Sequence, residues 1–295
     1  MEFRQLKMFL AVAEARNFTR AAEMIDYAQS SITGQISSLE SELGTKLFER
    51  LGRKVALTRE GELFLEYAQK IVKLVSEAKE AVSSLSDPRG TIIIGAPETI
   101  SVFRLPGLIQ EYRKRFPGVD INLKRCARED LAPWLKGNLI DVAFFLGRDI
   151  FTPELVTEVL VFEQMSVLAG AGHPIAKKAP VTPGDMEGQT LILCEGKCSY
   201  RVAFEDILAK AGVRPGSVLE LGSIEAIKRC VAGGLGITLL PRVSVEEEIS
   251  RGGLVDLRWD GPEFDINTQI VYHRDKYISP ALSALIGLAR DMLRN

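Results

Sequence analysis

The sequence predicts an all-α head, one long linker helix and an α/β body in two blocks. Three observations carry this reading. Apolar residues recur at helical spacing from Phe3 to Leu43. No proline interrupts the chain before Pro88. Beyond it, short β-branched runs alternate with helical patterns. At 295 residues the chain exceeds one typical core, so two or more domains are expected.

The head opens with an amphipathic helix whose apolar face is Phe3, Leu6, Phe9, Leu10 and Val12, unlike a secretory signal. Thr19 is expected to cap a second, short helix carrying Ala21, Ala22, Met24 and Ile25. Asp26-Tyr27-Ala28 breaks the periodicity as a three-residue turn. Ile32, Ile36, Leu39 and Leu43 then resume it and are expected to face inward. Tyr27 either contacts a nucleic-acid backbone or fills the core between these helices.

The opposite face of the third helix carries Gln29, Ser30, Ser31, Thr33, Gln35 and Ser38, with no charge before Glu40. Gln can pair with adenine N6 and N7, and Ser and Thr reach phosphates or base edges, which suits the major groove of a duplex. From Leu43 to Arg59 the chain gathers Lys46, Arg50, Arg53, Lys54 and Arg59 against a single Glu49, a local positive field. Val55-Ala56-Leu57 after the Gly52 turn reads as the return strand of a hairpin, with Arg53 at a tip suited to the minor groove. The net charge is only −2, so duplex affinity must come from this patch and from more than one copy of it.

Thr58 is the expected cap of the linker helix, which runs from Arg59 to about Leu85. Phe64, Tyr67, Ile71, Leu74, Ala78, Ala81 and Leu85 stand three and four residues apart. That stripe fits the seam of two wrapped helices, or a helix packed on its own domain. A symmetric dimer would present two reading helices to two half-sites. Asp87-Pro88-Arg89-Gly90 is the expected hinge.

In the body, strands are expected at Thr91–Ile94, Val119–Leu123 and Asp141–Phe145, with helices up to Phe116 and from about Glu129. This order implies parallel strands. A second block, from about Glu163 to Phe264, has strands near Ser166–Ala169, Leu191–Cys194 and Val218–Leu221 and helices from Ser199 and Ser223. Asn267–Tyr272 and a helix over Ser279–Leu293 rejoin the first block. The domain bounds read as 1–58 for the head, 59–87 for the linker and 91–295 for the body. Within the body, one lobe is 91–162 with 267–295 and the other is 163–266.

Several motifs resemble the LysR-type transcriptional regulators: Phe18-Thr19-Arg20-Ala21-Ala22, Leu39-Glu40-Ser41-Glu42-Leu43-Gly44, Leu47-Phe48-Glu49-Arg50 and Leu57-Thr58-Arg59-Glu60-Gly61. In the body, Gly172-His173-Pro174, Ser223-Ile224-Glu225-Ala226 and Val231-Ala232-Gly233-Gly234-Leu235-Gly236-Ile237 with Pro241 extend the resemblance over the whole chain. It implies an N-terminal winged helix-turn-helix and a C-terminal, two-lobed effector domain like a periplasmic binding protein, with a ligand in the cleft. It implies operator DNA and a small-molecule effector as partners, adds RNA polymerase as a candidate partner, and extends self-association from dimers to tetramers. The candidate DNA contacts are Thr19, Arg20, Gln29, Ser30, Ser31, Thr33, Gln35, Arg50, Arg53 and Lys54. The chain departs from the family pattern at Ala28 and Ser30, where Ser and Pro usually flank the Gln. Ala28 forfeits a capping hydroxyl worth about 1 kcal/mol. Gly34 replaces a common basic residue, at a cost of roughly 1 kcal/mol in helix propensity.

Ligands of open α/β sheets bind beyond the strand C-termini, where helix starts present backbone N–H groups. The candidate effector contacts there are Thr99, Ser101, Arg128, Cys198, Ser199 and Tyr200. The resemblance supports Thr99, where family members commonly place Ser or Thr, and Arg128, whose position often faces the cleft. It also supports Lys197-Cys198-Ser199-Tyr200-Arg201, similar to a cleft-lining motif of some members. Arg128 suits a carboxylate or phosphate. Plainer readings stand beside these: Thr99 and Ser199 as helix caps, Arg128 as a partner of Glu129 or Asp130, and Arg201 as a partner of Glu205. Gly233, Gly234 and Gly236 read as a helix end and tight turn, and His173 as a loop residue.

Neither His173 nor His273 lies in a nucleophile motif, so no catalytic residue is assigned and no enzyme activity is expected. Metal-ligand spacing is absent, and no cofactor is implied. Cys126, Cys194, Cys198 and Cys230 show no disulfide framework. No run suits a bilayer span, so a cytoplasmic location with no membrane partner is expected. Two alternatives remain: a thiol-based redox sensor using Cys198, near a helix start and Lys197 and Arg201, and a solute-binding module without duplex affinity.

Overall fold

The computed structural model describes residues 1–51, 54–82, 88–148, 150 and 152–294. The chain divides into two compact units, Met1–Leu85 with Gly137–Leu139, and Ser86–Lys136 with Ile140–Asn295.

The first unit contains α1 (Phe3–Ala15), α2 (Phe18–Met24), α3 (Gln29–Leu43), β1 (Phe48–Leu51), β2 (Lys54–Leu57) and α4 (Arg59–Val82). Leu6, Phe9 and Val12 of α1 meet Ala21, Ile32, Ile36 and Leu39 in one core. The Phe9 ring lies 5.1 Å from Phe48 and 4.9 Å from Phe64, so α1 ties the hairpin to α4. The strands β1 and β2 pair antiparallel, Phe48 opposite Leu57 and Leu51 opposite Lys54. The Gly52 turn and the Arg53 tip lie outside the described residues.

Three expectations are corrected here. Asn17, not Thr19, caps α2: its side chain accepts the Arg20 N–H at 3.0 Å, because the helix starts two residues earlier than the hydroxyl pattern suggested. Leu43 is exposed, since it sits on the last residue before the left-handed Gly44, past the end of the core. Glu40, grouped with the outward residues, is instead 7% exposed. Its Oε1 accepts the backbone N–H groups of Leu47 (2.9 Å) and Phe48 (3.2 Å), while Oε2 meets Lys46 Nζ at 2.6 Å.

Thr58 caps α4, its hydroxyl oxygen accepting the Gly61 N–H at 2.9 Å. The stripe expected along α4 divides. Phe64 and Ile71, with Leu65, Ala68 and Val72, pack into the first unit's own core. Leu63, Tyr67, Leu74 and Val82 are 59, 56, 62 and 86% exposed. Tyr67 and Leu74 of the predicted stripe are thus left exposed, together with Leu63 and Val82, whereas its 64 and 71 positions are covered. The Ala81 side chain and Leu85 lie outside the described residues, as does Asp87 of the expected hinge.

The second unit holds two five-stranded sheets. The first comprises β3 (Gly90–Ala96), α5 (Glu98–Phe103), α6 (Leu105–Arg115), β4 (Val119–Arg125), α7 (Arg128–Lys136), β5 (Val142–Gly147) and β6 (Leu155–Phe162). The second comprises β7 (Met165–Gly170), β8 (Thr190–Leu193), α8 (Ser199–Lys210), β9 (Ser217–Glu220), α9 (Ile224–Ala232), β10 (Ile237–Pro241), α10 (Glu246–Ser250) and β11 (Leu254–Asp256). The chain returns through β12 (Asn267–His273) and α11 (Pro280–Leu293). The strand orders are β4-β3-β5-β12-β6 and β11-β7-β10-β8-β9.

The expectation of parallel strands holds for β4-β3-β5 and β10-β8-β9, but β12 runs antiparallel to β5 and β6, and β7 antiparallel to β10 and β11. The exceptions include the strands that carry the chain between sheets. The helical crossover that enforces parallel order within one sheet does not act on them. The two crossings lie side by side: the Glu163 N–H donates to Ile266 O at 2.9 Å. There Arg104 grips the buried Glu163 through two hydrogen bonds, of 3.0 and 2.6 Å, and the Thr268 hydroxyl donates to the same carboxylate at 2.6 Å. The last helix packs back on the first sheet, where the Tyr112 hydroxyl donates to Ala281 O at 2.8 Å.

Candidate functional site

In the first unit, Gln29, Ser30, Ser31 and Ser38 are exposed and Thr33 and Gln35 half-buried on α3. Turning Glu40 inward leaves that face without charge over three turns. Ala28 at its start gives no side-chain cap, which leaves the first N–H groups of α3 free to meet an external acceptor. The Thr33 hydroxyl donates back to Gln29 O at 3.0 Å, so toward a ligand it acts as an acceptor. Thr19 and Arg20 are exposed on α2, and Tyr27 and Met24 are exposed near the helix start, so the core-filling reading of Tyr27 does not hold. Arg50 and Lys54 have hairpin backbone, but their side chains, like Arg53 entirely, lie outside the described residues.

Glu40 braces this face against the hairpin. Burial raises its pKa, but hydrogen bonds from Lys46, Leu47 and Phe48 outweigh burial and hold the carboxyl below its usual value.

In the second unit a cleft of about 250 Å³ opens where strand ends of the two sheets meet. Ala96 and Arg125 are in register, so the chain after β3 and the chain after β4 leave side by side. Leu193 and Glu220 are likewise in register opposite them. The helices α5, α7, α8 and α9 begin at these ends, and the cleft is lined by Thr99, Arg128, Cys198, Ser199 and Tyr200 together with Phe145 and Ser223. Five of the six expected contacts are thus brought together. Ser101 is not among the lining residues: two positions past Thr99 on a helix it points elsewhere, and its hydroxyl donates to Pro97 O at 3.0 Å.

Burial raises the pKa of Tyr200, which lies beside Thr99 and Cys198 in the cleft lining. Burial also opposes ionisation of Cys198, but hydrogen bonds from Cys194, Tyr200 and the backbone of Tyr200 and Arg201 bring its thiol below the ordinary range. Cys194 is pushed up by its hydrogen bond with Cys198 and by burial. Cys126, in the cleft wall, is pushed up to about 12 by burial and by Asp130 and Glu129.

Arg128 pairs with neither Glu129 nor Asp130; its guanidinium lies 5.4 Å from the Phe145 ring centre. Glu129 instead meets Lys197 Nζ at 2.7 Å across the cleft, and Arg125 meets Glu195 at 3.4 Å. Arg201 donates to Glu205 (2.8 Å), Cys194 O (2.7 Å) and Glu220 (2.5 Å), so the plainer reading of that residue holds. The lobes approach closely at Gly147, where a Cβ would stand 2.7 Å from Ser199 Oγ.

Elsewhere, His173 Nδ1 accepts the Ile175 N–H in a surface turn. Gly233 ends α9, and Gly234 (φ +79°) turns the chain toward β10, a turn and not a phosphate cradle. Among the described residues no group of three or more His, Cys, Asp or Glu could hold a metal, and no helix is long and apolar enough to cross a membrane. Sequence reasoning missed the Glu40 brace and the cross-cleft ion pairs. It missed the strands β6, β10 and β11 as well, although Ile237 and Pro241, which bound β10, stood in a quoted motif.

Comparison with known proteins agrees with this division. Residues 3–62 match the model of the bacterial regulatory helix-turn-helix proteins of the lysR family, and residues 86–294 match the LysR substrate binding domain. The uncharacterized HTH-type transcriptional regulator YwqM of Bacillus subtilis is 42% identical over 297 residues, covering 100% of both chains. The HTH-type transcriptional regulator GltR of the same organism is 34% identical, over 99% of this chain and 97% of the relative. Among solved structures, a full-length OxyR variant from Pseudomonas aeruginosa superposes with a TM-score of 0.73 at 25% identity, covering 100% of this chain and 95% of that one. CbnR complexed with its target DNA gives 0.71 at 23% identity, covering 99% of each chain, a likeness of fold.

Proposed function

This chain belongs to the LysR family of transcriptional regulators, and from that premise we propose how its parts divide the work. Residues 1–58 read operator DNA, 59–87 link and pair two copies, and 91–295 bind a small effector between a lobe of 91–162 with 267–295 and a lobe of 163–266. The observation that carries the reading is the uncharged, exposed polar face of α3, kept free of Glu40 by the inward turn of that carboxylate. Gln29 and Gln35 read bases, Ser30, Ser31, Thr33, Thr19 and Arg20 meet backbone or base edges, and Arg50, Arg53 and Lys54 hold phosphates. The exposed seam at Leu63, Tyr67, Leu74 and Val82 supports a dimer, the unit from which tetramers are built. The protein works in the cytoplasm, beside RNA polymerase, and regulates without catalysing a reaction.

The effector carries an anionic group. Arg128, without an ion-pair partner among the described residues, receives it, with the hydroxyls of Thr99, Ser199 and Tyr200 around it. Binding favours one angle between lobes, and thereby one spacing of half-sites, only in so far as the effector's free energy differs between the two arrangements. The matched substrate-binding domain favours a bound molecule over Cys198 oxidation as the signal, and the matched N-terminal model disfavours a stand-alone solute-binding module.

A mobility-shift assay on genomic fragments tests the DNA arm: specific, salt-dependent retardation is expected, and binding indifferent to salt would contradict the phosphate contacts. For the effector arm, Arg128→Ala should blunt the response to an inducer while sparing affinity for DNA. A variant that responds normally would remove Arg128 from the site.

A further inference from the structure

Six charged side chains line the cleft: Arg125, Arg128 and Lys197 against Glu98, Glu129 and Glu195. Two ion pairs that span the lobes occupy four of them, Arg125 with Glu195 at 3.4 Å and Lys197 with Glu129 at 2.7 Å. Among the described residues the remaining two, Arg128 and Glu98, form no ion pair. Ring contact with Phe145 steadies the Arg128 guanidinium without meeting its hydrogen-bond donors. Glu98 is half-buried at the start of α5.

The unmatched charges are neighbours by topology. Glu98 follows Ala96 by two residues and Arg128 follows Arg125 by three, and Ala96 and Arg125 are paired on adjacent parallel strands. Such strands lie about 4.8 Å apart. The cleft thus keeps one positive and one negative group at the same end, beside an apolar wall of Phe145 and Leu146.

A plain carboxylate or phosphate would satisfy Arg128 and be opposed by Glu98; an amine would meet the reverse. A ligand carrying both charges a few ångströms apart satisfies each, and a small cleft with apolar lining and few polar groups has room for its side chain. We propose that the effector is an α-amino acid in its zwitterionic form, its carboxylate on Arg128 and its ammonium on Glu98. This rests on the cleft reading above and narrows it from anions in general to one class.

The test uses the full-length protein, thermal unfolding as a screen and calorimetry for Kd, with three matched probe sets. These are the proteinogenic L-amino acids, the 2-oxo acids that replace the ammonium by a carbonyl, and the amines that lack the carboxylate. At least one amino acid should bind, with its 2-oxo acid and its amine weaker by about tenfold or more, since each leaves a charged cleft group unmet. Glu98→Gln should erase discrimination against the 2-oxo acid, and Glu98→Asp should restore it in part. Both read as ratios of affinities that loss of folding would not mimic. A 2-oxo acid that binds as tightly as its amino acid, through Arg128, would overturn the zwitterion and leave the cleft reading standing. Amino-acid binding insensitive to both Glu98→Gln and Arg128→Gln would overturn both. Absence of binding by every amino acid would overturn the proposal.

Discussion

Replacing Glu40 by Ala should unfasten the reading helix from the hairpin, and the size of the effect follows from what the carboxylate holds. It accepts two backbone N–H groups, from Leu47 and Phe48, and pairs with Lys46. Leu47 and Phe48 are both buried, so neither N–H has ready access to water when the carboxylate is removed. Hydrogen bonds to a charged group contribute about 1.5–3 kcal/mol, and a buried donor left unmet costs about 1–3 kcal/mol. Exposed Lys46 adds little. A net loss of about 3 kcal/mol is expected for Glu40→Ala, and about 1 kcal/mol for Glu40→Gln, whose amide oxygen still accepts.

The pH dependence has a definite sign. The folded-state pKa lies below the unfolded value of 4.5, so this stabilisation is complete above 4.5 and fades as pH falls through the folded value. Amide hydrogen exchange at Leu47 and Phe48, with urea unfolding of the whole chain, reads the local and global parts separately. Exchange at both amides as slow in Glu40→Ala as in the parent, with stability within about 0.5 kcal/mol, would refute the brace.

Other outcomes follow from the same geometry. Gln29→Ala or Gln35→Ala should relax base preference by about 1–3 kcal/mol per lost bidentate pair, whereas Arg53→Ala should weaken binding to all sequences and lower the salt slope by about one, both measurable by titration at several salt concentrations. Gly147→Ala would place a Cβ 2.7 Å from Ser199 Oγ and force the lobes apart, so effector affinity should fall; calorimetry showing the parent Kd would exclude that contact. Leu74→Asp should lower the mass seen by analytical ultracentrifugation, because Leu74 is 62% exposed in the middle of the α4 seam. Gly34→Ala meets open space and should raise stability by about 0.5–1 kcal/mol in urea unfolding.

The helices of the head were legible in the sequence because their apolar positions repeat, and a repeat is a property of one segment alone. Ile32, Ile36 and Leu39 are buried as their spacing predicts. The same logic failed at Leu43 and Glu40, where the tertiary surroundings decide. Leu43 repeats correctly but has no neighbour to cover it, and Glu40 is drawn in by N–H groups seven and eight residues along the chain. On α4 the periodicity was real but doubly used, once by the core of the head and once by an exposed seam. A one-dimensional pattern cannot separate two faces so close in phase.

The cleft divides the same way. Strand ends followed by helix starts are sequence features, and together with the family resemblance they pointed to Thr99, Arg128, Cys198, Ser199 and Tyr200, all of which line the cleft. What the sequence hides is pairing. Lys197 and Glu129 are 68 residues apart, and nothing in either neighbourhood announces the other. Nor does Glu163, at a crossing between sheets, reveal that Arg104 and Thr268 converge on it. Had the pairs of Arg125 with Glu195 and Lys197 with Glu129 not formed, the cleft would present three cations and three carboxylates alike. With those four charges meeting one another across the lobes, the proposed selectivity rests on Arg128 and Glu98. In the proposed site the cross-cleft pairs leave Arg128 and Glu98 to meet a ligand's charges, and because each pair joins one lobe to the other, a ligand that disturbs them would also act on the angle between the lobes.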